Sequence, residues 1–183
     1  MKRTLHNLSR DELGRLFPVE IAGYNPDWPR IYQFEQNRIL KALADGVHRI
    51  DHIGSTAVTG LRAKPVIDIL LQIKNDGDPE SVTDALQNIG YEIIRRPENP
   101  APHLMCVKGY TLQGYPGQAF HVHVRYPGDW DELRFRDILS AQPDIAKDYA
   151  RLKDELAETY KYDRDAYTDA KTDFIKSALE QGK

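Results

Sequence analysis

Residues 52–68, HIGSTAVTGLRAKPVID, gather more reactive chemistry than any other stretch of the chain. Gly54 and Ser55 follow an apolar, strand-like run directly and open a helical turn. A glycine there lets backbone approach a ligand closely, and free amides at a helix start favour phosphate oxygens. Ser55 adds a hydroxyl. Farther on, the Asp68 carboxylate projects from the otherwise apolar run Val66-Ile-Asp-Ile-Leu-Leu-Gln-Ile73. A buried ionised Asp is costly unless it is paired, hydrogen-bonded or bound to a metal. A Mg²⁺ bridging the carboxylate and substrate phosphates would supply that compensation. Lys64 and Arg62, in the intervening loop, read either as phosphate-neutralising groups or as solvated loop charges. His52 is either an acid–base group near neutral pH or a structural hydrogen-bonding residue.

A second group lies in FHVHVR, residues 120–125. Alternate strand residues share a face, so His121, His123 and Arg125 line up together. Two imidazoles as ligands favour Zn²⁺, Mn²⁺ or another transition metal over Mg²⁺. The alternative is that the histidines hydrogen-bond within the core, or that this face contacts phosphate. A cupin-like metal site fails on the lack of a well-placed following Glu and on the helical C-terminal third. Tyr167 and Lys171 stand one helical turn apart. They read either as a base-stacking ring beside a phosphate-binding amine or as a core ring with a snorkelling lysine. The single cysteine, Cys106, excludes an internal disulfide and sits among Leu104, Met105 and Val107 as a buried, inert thiol.

These groups need a frame. Ser9-Arg-Asp-Glu12 has capping-box spacing and predicts a short helix ended by Pro18. Residues 19–24 alternate as a strand, Asn25-Pro-Asp27 is a turn, and Pro29 starts a helix that Gly46 closes. Strands are expected at 47–53 and 66–73, the second buried on both faces. A helix from Pro79 to Gly90 and a strand at 91–94 follow. The Pro-rich loop 95–103 is long enough for a substrate loop, and strands at 104–110 and 119–126 flank a Gly-rich turn. From Trp130 the pattern is helical. Ile145, Tyr149, Leu152, Leu156 and Tyr160 make one helical stripe, and Tyr167, Phe174, Ile175, Ala178 and Leu179 a second. The expectation is an α+β fold: a mixed β-sheet flanked by helices, in one domain over 1–183, closed by two or three C-terminal helices from about 131.

Composition narrows the function classes. The chain is 40% hydrophobic and 29% charged, an ordinary globular balance, with a formal net charge of −3. Basic and acidic residues balance at 15 each up to residue 130, against 10 and 13 beyond it. That argues against a nucleic-acid partner but leaves room for a local basic pocket. The first residues, MKRTLHNLSRDELG, have no apolar run of signal-peptide type, and no stretch approaches membrane-spanning length. A cytoplasmic protein is expected, with no visible pattern that sets its oligomeric state.

The Gly-Ser turn followed by an Asp on the next strand resembles the nucleotidyltransferase signature. The longer string HIGSTAVTGLRAKPVIDI looks like the GrpB family (UPF0157) in particular. So do Tyr24-Asn-Pro-Asp-Trp-Pro29, FHVHVR, LRFRDIL at 133–139 and DRDAYTDAKTDFI at 163–175. The resemblance implies a nucleotidyltransferase-type fold and a metal-dependent transferase of phosphorus-containing groups. Its substrate would be a nucleoside triphosphate or related phosphate-bearing small molecule, with a small-molecule acceptor. In that scheme Asp68, Ser55 and Lys64 are catalytic. Gly54, Ser55, His52, Arg62, Arg125, Tyr167 and Lys171 hold nucleotide or phosphate. Asp68, His121 and His123 hold a divalent metal: Mg²⁺ or Mn²⁺, with Zn²⁺ as the further option. Transferases of that fold carry a second acid two residues after the first. Here Leu70 stands in its place. This departure keeps two alternatives open: a non-catalytic nucleotide- or coenzyme A-related binding module, since some family members are fused to dephospho-CoA kinase, and a His-centred metal enzyme.

Overall fold

The computed structural model describes residues 4–182. Five strands form one sheet: β1 (Val47–Ile53), β2 (Val66–Ile73), β3 (Glu92–Arg95), β4 (Leu104–Lys108) and β5 (Ala119–Arg125), in the order β1-β2-β5-β4-β3. Only β2 and β5 run parallel; the other neighbours are antiparallel. The alternation of strand side chains gives the sheet two unlike faces. One carries Ile67, Ile69, Leu71 and Ile73 of β2 with Leu104, Cys106, Val122 and Val124, all buried in the main core. That core contains Trp28 and Ile39 of α2 (Trp28–Leu43) and Val82 and Leu86 of α3 (Pro79–Asn88). The other face carries Asp68, Leu70 and Gln72 beside His121, His123 and Arg125.

Helices cover only part of that second face. α4 (Asp131–Ala141) sets Leu133 on Leu70 and Ile53. α5 (Pro143–Thr159) and α7 (Thr172–Gln181) join α4 in a separate cluster that includes Phe135, Tyr149 and Leu179 with Val58 and Leu61 of the β1–β2 loop. The loop after the Gly-Ser turn is thus clamped to the C-terminal helices. α6 (Arg164–Asp169) leads into α7. At the other end, α1 (Arg10–Leu16) has Ser9 as its N-cap with the reciprocal Glu12 bond of a capping box, as the spacing predicts. No helix among the described residues is long and apolar enough to cross a membrane.

Strands β1 and β2 match their expected limits, and α+β is the observed class. Residues 19–24 are a correction: they form no strand. Their hydrogen bonds go to loops instead, Val19 N–H to the Lys161 carbonyl and Ala22 to Ala63 in both directions as an isolated bridge. β3 begins one residue late, because Tyr91 N–H still bonds the Leu86 carbonyl at the end of α3. The C-terminal part has four α-helices, not two or three, and the break at Ala170 and Lys171 splits the second stripe between α6 and α7. The first three residues of the stretch read against a signal peptide lie outside the described residues. Cys106 is fully buried, and burial pushes its thiol up to about 12, the inert state expected of it.

α1 is held by contact with backbone. A Cβ on Gly14 would lie 1.8 Å from the carbonyl oxygen of Tyr162. Gly14→Ala should therefore lift α1 from residues 160–163 and destabilise the protein by about 1–3 kcal/mol. Hydrogen exchange checks it: faster exchange confined to residues 10–17 is the expected pattern, and unchanged exchange there would show that the close packing is dispensable.

Candidate functional site

The parallel register of β2 and β5 places Asp68 opposite His121 and Leu70 opposite His123. Asp68 Oδ1 lies 3.4 Å from His121 Nδ1 and 3.4 Å from His123 Nε2. These three ligand atoms lie within 4.8 Å of one another, close enough to share one metal ion. The far side of the carboxylate rests on Gly54, whose φ of 69° suits glycine and where a Cβ would stand 2.8 Å from Asp68 Oδ2. Burial alone would raise the Asp68 pKa, but hydrogen bonds and charge from His121 and His123 outweigh it and hold the carboxyl below its usual range. His121 is oriented from behind: its Nε2 is 2.6 Å from the Tyr110 hydroxyl, and their rings stack. A metal bound at Nδ1 would replace that hydrogen bond to Asp68 and leave the His121 proton on Nε2, donated to Tyr110, the arrangement metal-bound imidazoles usually show. Arg164 in turn donates to the Tyr110 hydroxyl at 3.3 Å.

Around this triad opens a cleft of about 1510 Å³. Both signs of charge line it, and Lys64, Lys153, Arg164 and Lys171 are the cations among its walls that act on the triad or on one another. Burial lowers the Lys64 amine to about 7; Arg164 and Lys171 push it the same way, and Asp68 opposes them. Lys153, 2% exposed, is lowered by burial to about 7 as well, with Lys171 adding to the shift. Its Nζ donates to Ser55 Oγ at 3.0 Å and to the Arg62 carbonyl, and lies 4.9 Å from the centre of the Tyr149 ring. Lys171 is lowered by burial and sits 4.3 Å above the Tyr167 ring. Amines held together under mutual repulsion, in partly desolvated surroundings, form a site suited to a polyanion.

Among the residues singled out from sequence, Ser55, Lys64, Asp68, His121, His123, Tyr167 and Lys171 meet in this cleft, with Gly54 beneath Asp68. Tyr167 is buried and its ring face is occupied by Lys171, so it is no open platform for a base. Three others are placed elsewhere. His52 stacks on Tyr32 at 4.6 Å and bonds Thr56 Oγ1, and burial lowers it to about 4, which makes it a neutral structural residue. Arg62 turns outward to Asp154 at 2.9 Å and offers the site only its carbonyl. Arg125 is buried against Trp130 and Glu132, beyond the cleft wall. Sequence reasoning missed Lys153, Tyr110 and Arg164. Lys153 carried a readable signal: it lies four residues after Tyr149, on the buried side of α5.

Comparison with known proteins agrees with this architecture. The family model described as "GrpB protein" matches residues 18–181. A UPF0157 protein of Pseudomonas aeruginosa is 40% identical over 163 residues, 88% of this chain and 66% of that protein. A protein named dephospho-CoA kinase from Mycolicibacterium paratuberculosis is 29% identical over 96% of this chain, which spans 48% of its length. The crystal structure of conserved protein GrpB from Enterococcus faecalis superposes with a TM-score of 0.76 at 25% identity, covering 89% of this chain and 96% of that one.

The buried Lys153 sets a pH dependence. A lysine at about 7 when folded and at its ordinary 10.5 when unfolded binds more protons in the unfolded state between those values. Its contribution therefore makes stability rise with pH across that window, by about 1 kcal/mol per pH unit. Urea unfolding between pH 7 and 9 should show this slope, and Lys153→Met should flatten it by that amount. An unaltered slope in the variant would mean that Lys153 keeps an ordinary pKa.

Proposed function

The chain belongs to the GrpB family, and from the cleft it carries we propose that it is a metal-dependent enzyme that transfers phosphorus-containing groups between small molecules. A nucleotide or a related phosphate-bearing compound would be the donor. One observation carries the reading: three ligand atoms fit for a single metal face the same cavity as Lys64, Lys153, Arg164 and Lys171, whose charges act on Asp68 or on one another. The donor set of one carboxylate and two imidazoles favours Mn²⁺ or Zn²⁺ over Mg²⁺. The expected lack of a second acid acquires a physical counterpart here. Leu70 is fully buried with Leu133 and Ile53, and the neighbouring strand brings His123 beside it. A ligand from β5 thus stands in for the acid that other transferases of this fold carry on the strand.

When bound, the metal would neutralise charge on the phosphate oxygens. Ser55 Oγ and the Lys153 amine would hold the phosphate chain from the helical-turn side. Lys64 and Lys171 would offset charge that develops as the group is transferred. Tyr110, fixed by Arg164, keeps His121 in the ligand orientation. Because Lys64 Nζ sits near neutral pKa, it is also able to accept the proton of an acceptor hydroxyl.

The likeness to a protein named dephospho-CoA kinase, of which this chain spans about half, favours one second reading: a nucleotide- or coenzyme A-related binding module without turnover. The two separate cleanly. Purified protein titrated with Mn²⁺ and Zn²⁺ should bind about one ion, and ATP or pyrophosphate should raise the melting temperature more with metal than without. Turnover of labelled nucleotide with candidate acceptors should then depend on that metal, and Asp68→Asn should lower it by at least a hundredfold. Stabilisation that is indifferent to metal, with no turnover, would favour the binding module, and full activity in Asp68→Asn would refute the mechanism.

A further inference from the structure

The cleft extends beyond the metal triad and the lysines around it. From His121 and His123 the sheet continues toward its β3 edge, and strand register fixes what faces the cavity there. Val107 pairs with His121 and Met105 with His123, while Ile94 pairs with Met105. Paired residues share a face, so a largely apolar floor, with Glu92 opposite Val107 as its charged member, adjoins the metal triad directly. The same cavity is also lined by Leu5, Leu8 and Leu13. None of these six apolar side chains joins a hydrophobic core cluster of the described residues. The leucines come from residues before the 18–181 stretch that the family model matches.

We propose that the ligand is an organic phosphate whose remaining part is an extended, flexible, largely apolar arm, laid from the metal triad over Val107, Met105 and Ile94 and against Leu5, Leu8 and Leu13. The inference rests on the phosphate reading of the cationic end. Crossing two inter-strand spacings, from β5 to β3, covers about 10 Å, the length of roughly six to eight methylenes. The chemistry of the far half selects an aliphatic arm over a nucleobase. Beside Glu92, its floor is Val107, Met105 and Ile94, whereas the rings of Phe17 and Tyr110 lie by His121. There Phe17 is buried against Tyr110, Tyr115 and Arg164, and Tyr110 stacks on His121. At the far end Arg96 and Asn99 also line the cleft, polar groups able to meet a polar terminus of the arm.

A homologous series tests this on the full chain: calorimetric titration with inorganic phosphate, then ethyl, butyl and hexyl phosphate, at fixed Mn²⁺. Burying a methylene contributes about 0.8 kcal/mol at full burial, so affinity should climb two- to fourfold per added methylene. Hexyl phosphate should then bind at least tenfold tighter than ethyl phosphate. Leu8→Asp and Met105→Gln should each bring hexyl phosphate down to about the affinity of ethyl phosphate. Should inorganic phosphate bind while affinity stays flat along the series, the arm is refuted and the phosphate reading stands. A length dependence that survives in both variants would place the arm elsewhere and overturn the proposal. Absence of binding by every member, phosphate included, would overturn both.

Discussion

A carboxylate on the most buried strand of a sheet must be compensated, and the compensation of Asp68 organises the surrounding structure. Neighbouring residues of β2 are fully buried aliphatics, and with 29% of its side-chain surface open to the cleft Asp68 recovers only part of its solvation. The compensation comes from the next strand, through a register that sets one histidine directly opposite and another two residues along. That arrangement needs β5 parallel to β2, and hence the long excursion through α3, β3 and β4 before the chain returns. It also needs backbone to pass close beneath the carboxylate, which only Gly54 permits at its positive φ.

The cationic end presents the opposite problem. Lys153 has no carboxylate in hydrogen-bonding reach among its described partners; it has a hydroxyl, a carbonyl and the Tyr149 ring. Lys171 and Arg62 push its pKa down with burial, and Asp154 opposes them only through space. Elsewhere the protein handles buried charge differently: Glu35, 2% exposed, is met by Lys108, Arg38 and the Tyr91 hydroxyl together. One buried charge is thus satisfied threefold by direct bonds, whereas Lys64 and Lys171 meet Asp68, and Lys153 meets Asp154, through space and without an ion pair among the described contacts. Such a contrast within one chain marks the cleft as the place where stability is conceded to binding.

Much of this was legible in the sequence, and the reasons differ by element. The apolar run of β2 and the Gly-Ser turn announce themselves because local pattern alone specifies them. The grouping of Asp68 with His121 and His123 rested on strand alternation plus the family resemblance, and the register brings those residues together. Arg125 shows where alternation stops being informative. It shares the histidines' face, yet α4 covers that end of the strand, and Trp130 with Glu132 takes the guanidinium. Arg62 and His52 lie near the Gly-Ser turn in sequence, but proximity along the chain says nothing about direction. Arg62 follows the loop outward, and His52 sits on the side of β1 that faces Tyr32. Lys153 and Arg164 were hidden for another reason. They reach the site from helices about 90 to 110 residues beyond Ser55, through contacts that no local period encodes.

The same sheet face explains why metal ligands and apolar floor adjoin. On β4 and β3 the cavity side bears Val107, Met105 and Ile94 with Glu92, and on β5 and β2 it bears His121, His123 and Asp68. Both sets obey one alternation, with opposite polarity on the two halves of the sheet. An open, purely apolar half would attract water-excluding association, and a purely charged half would bind any phosphate alike. Joined on one floor, they would, on the proposed reading, distinguish a ligand by both ends at once. The fold needs no separate recognition domain for that, because the strand register which assembles the metal ligands also fixes which side chains continue the floor beyond them.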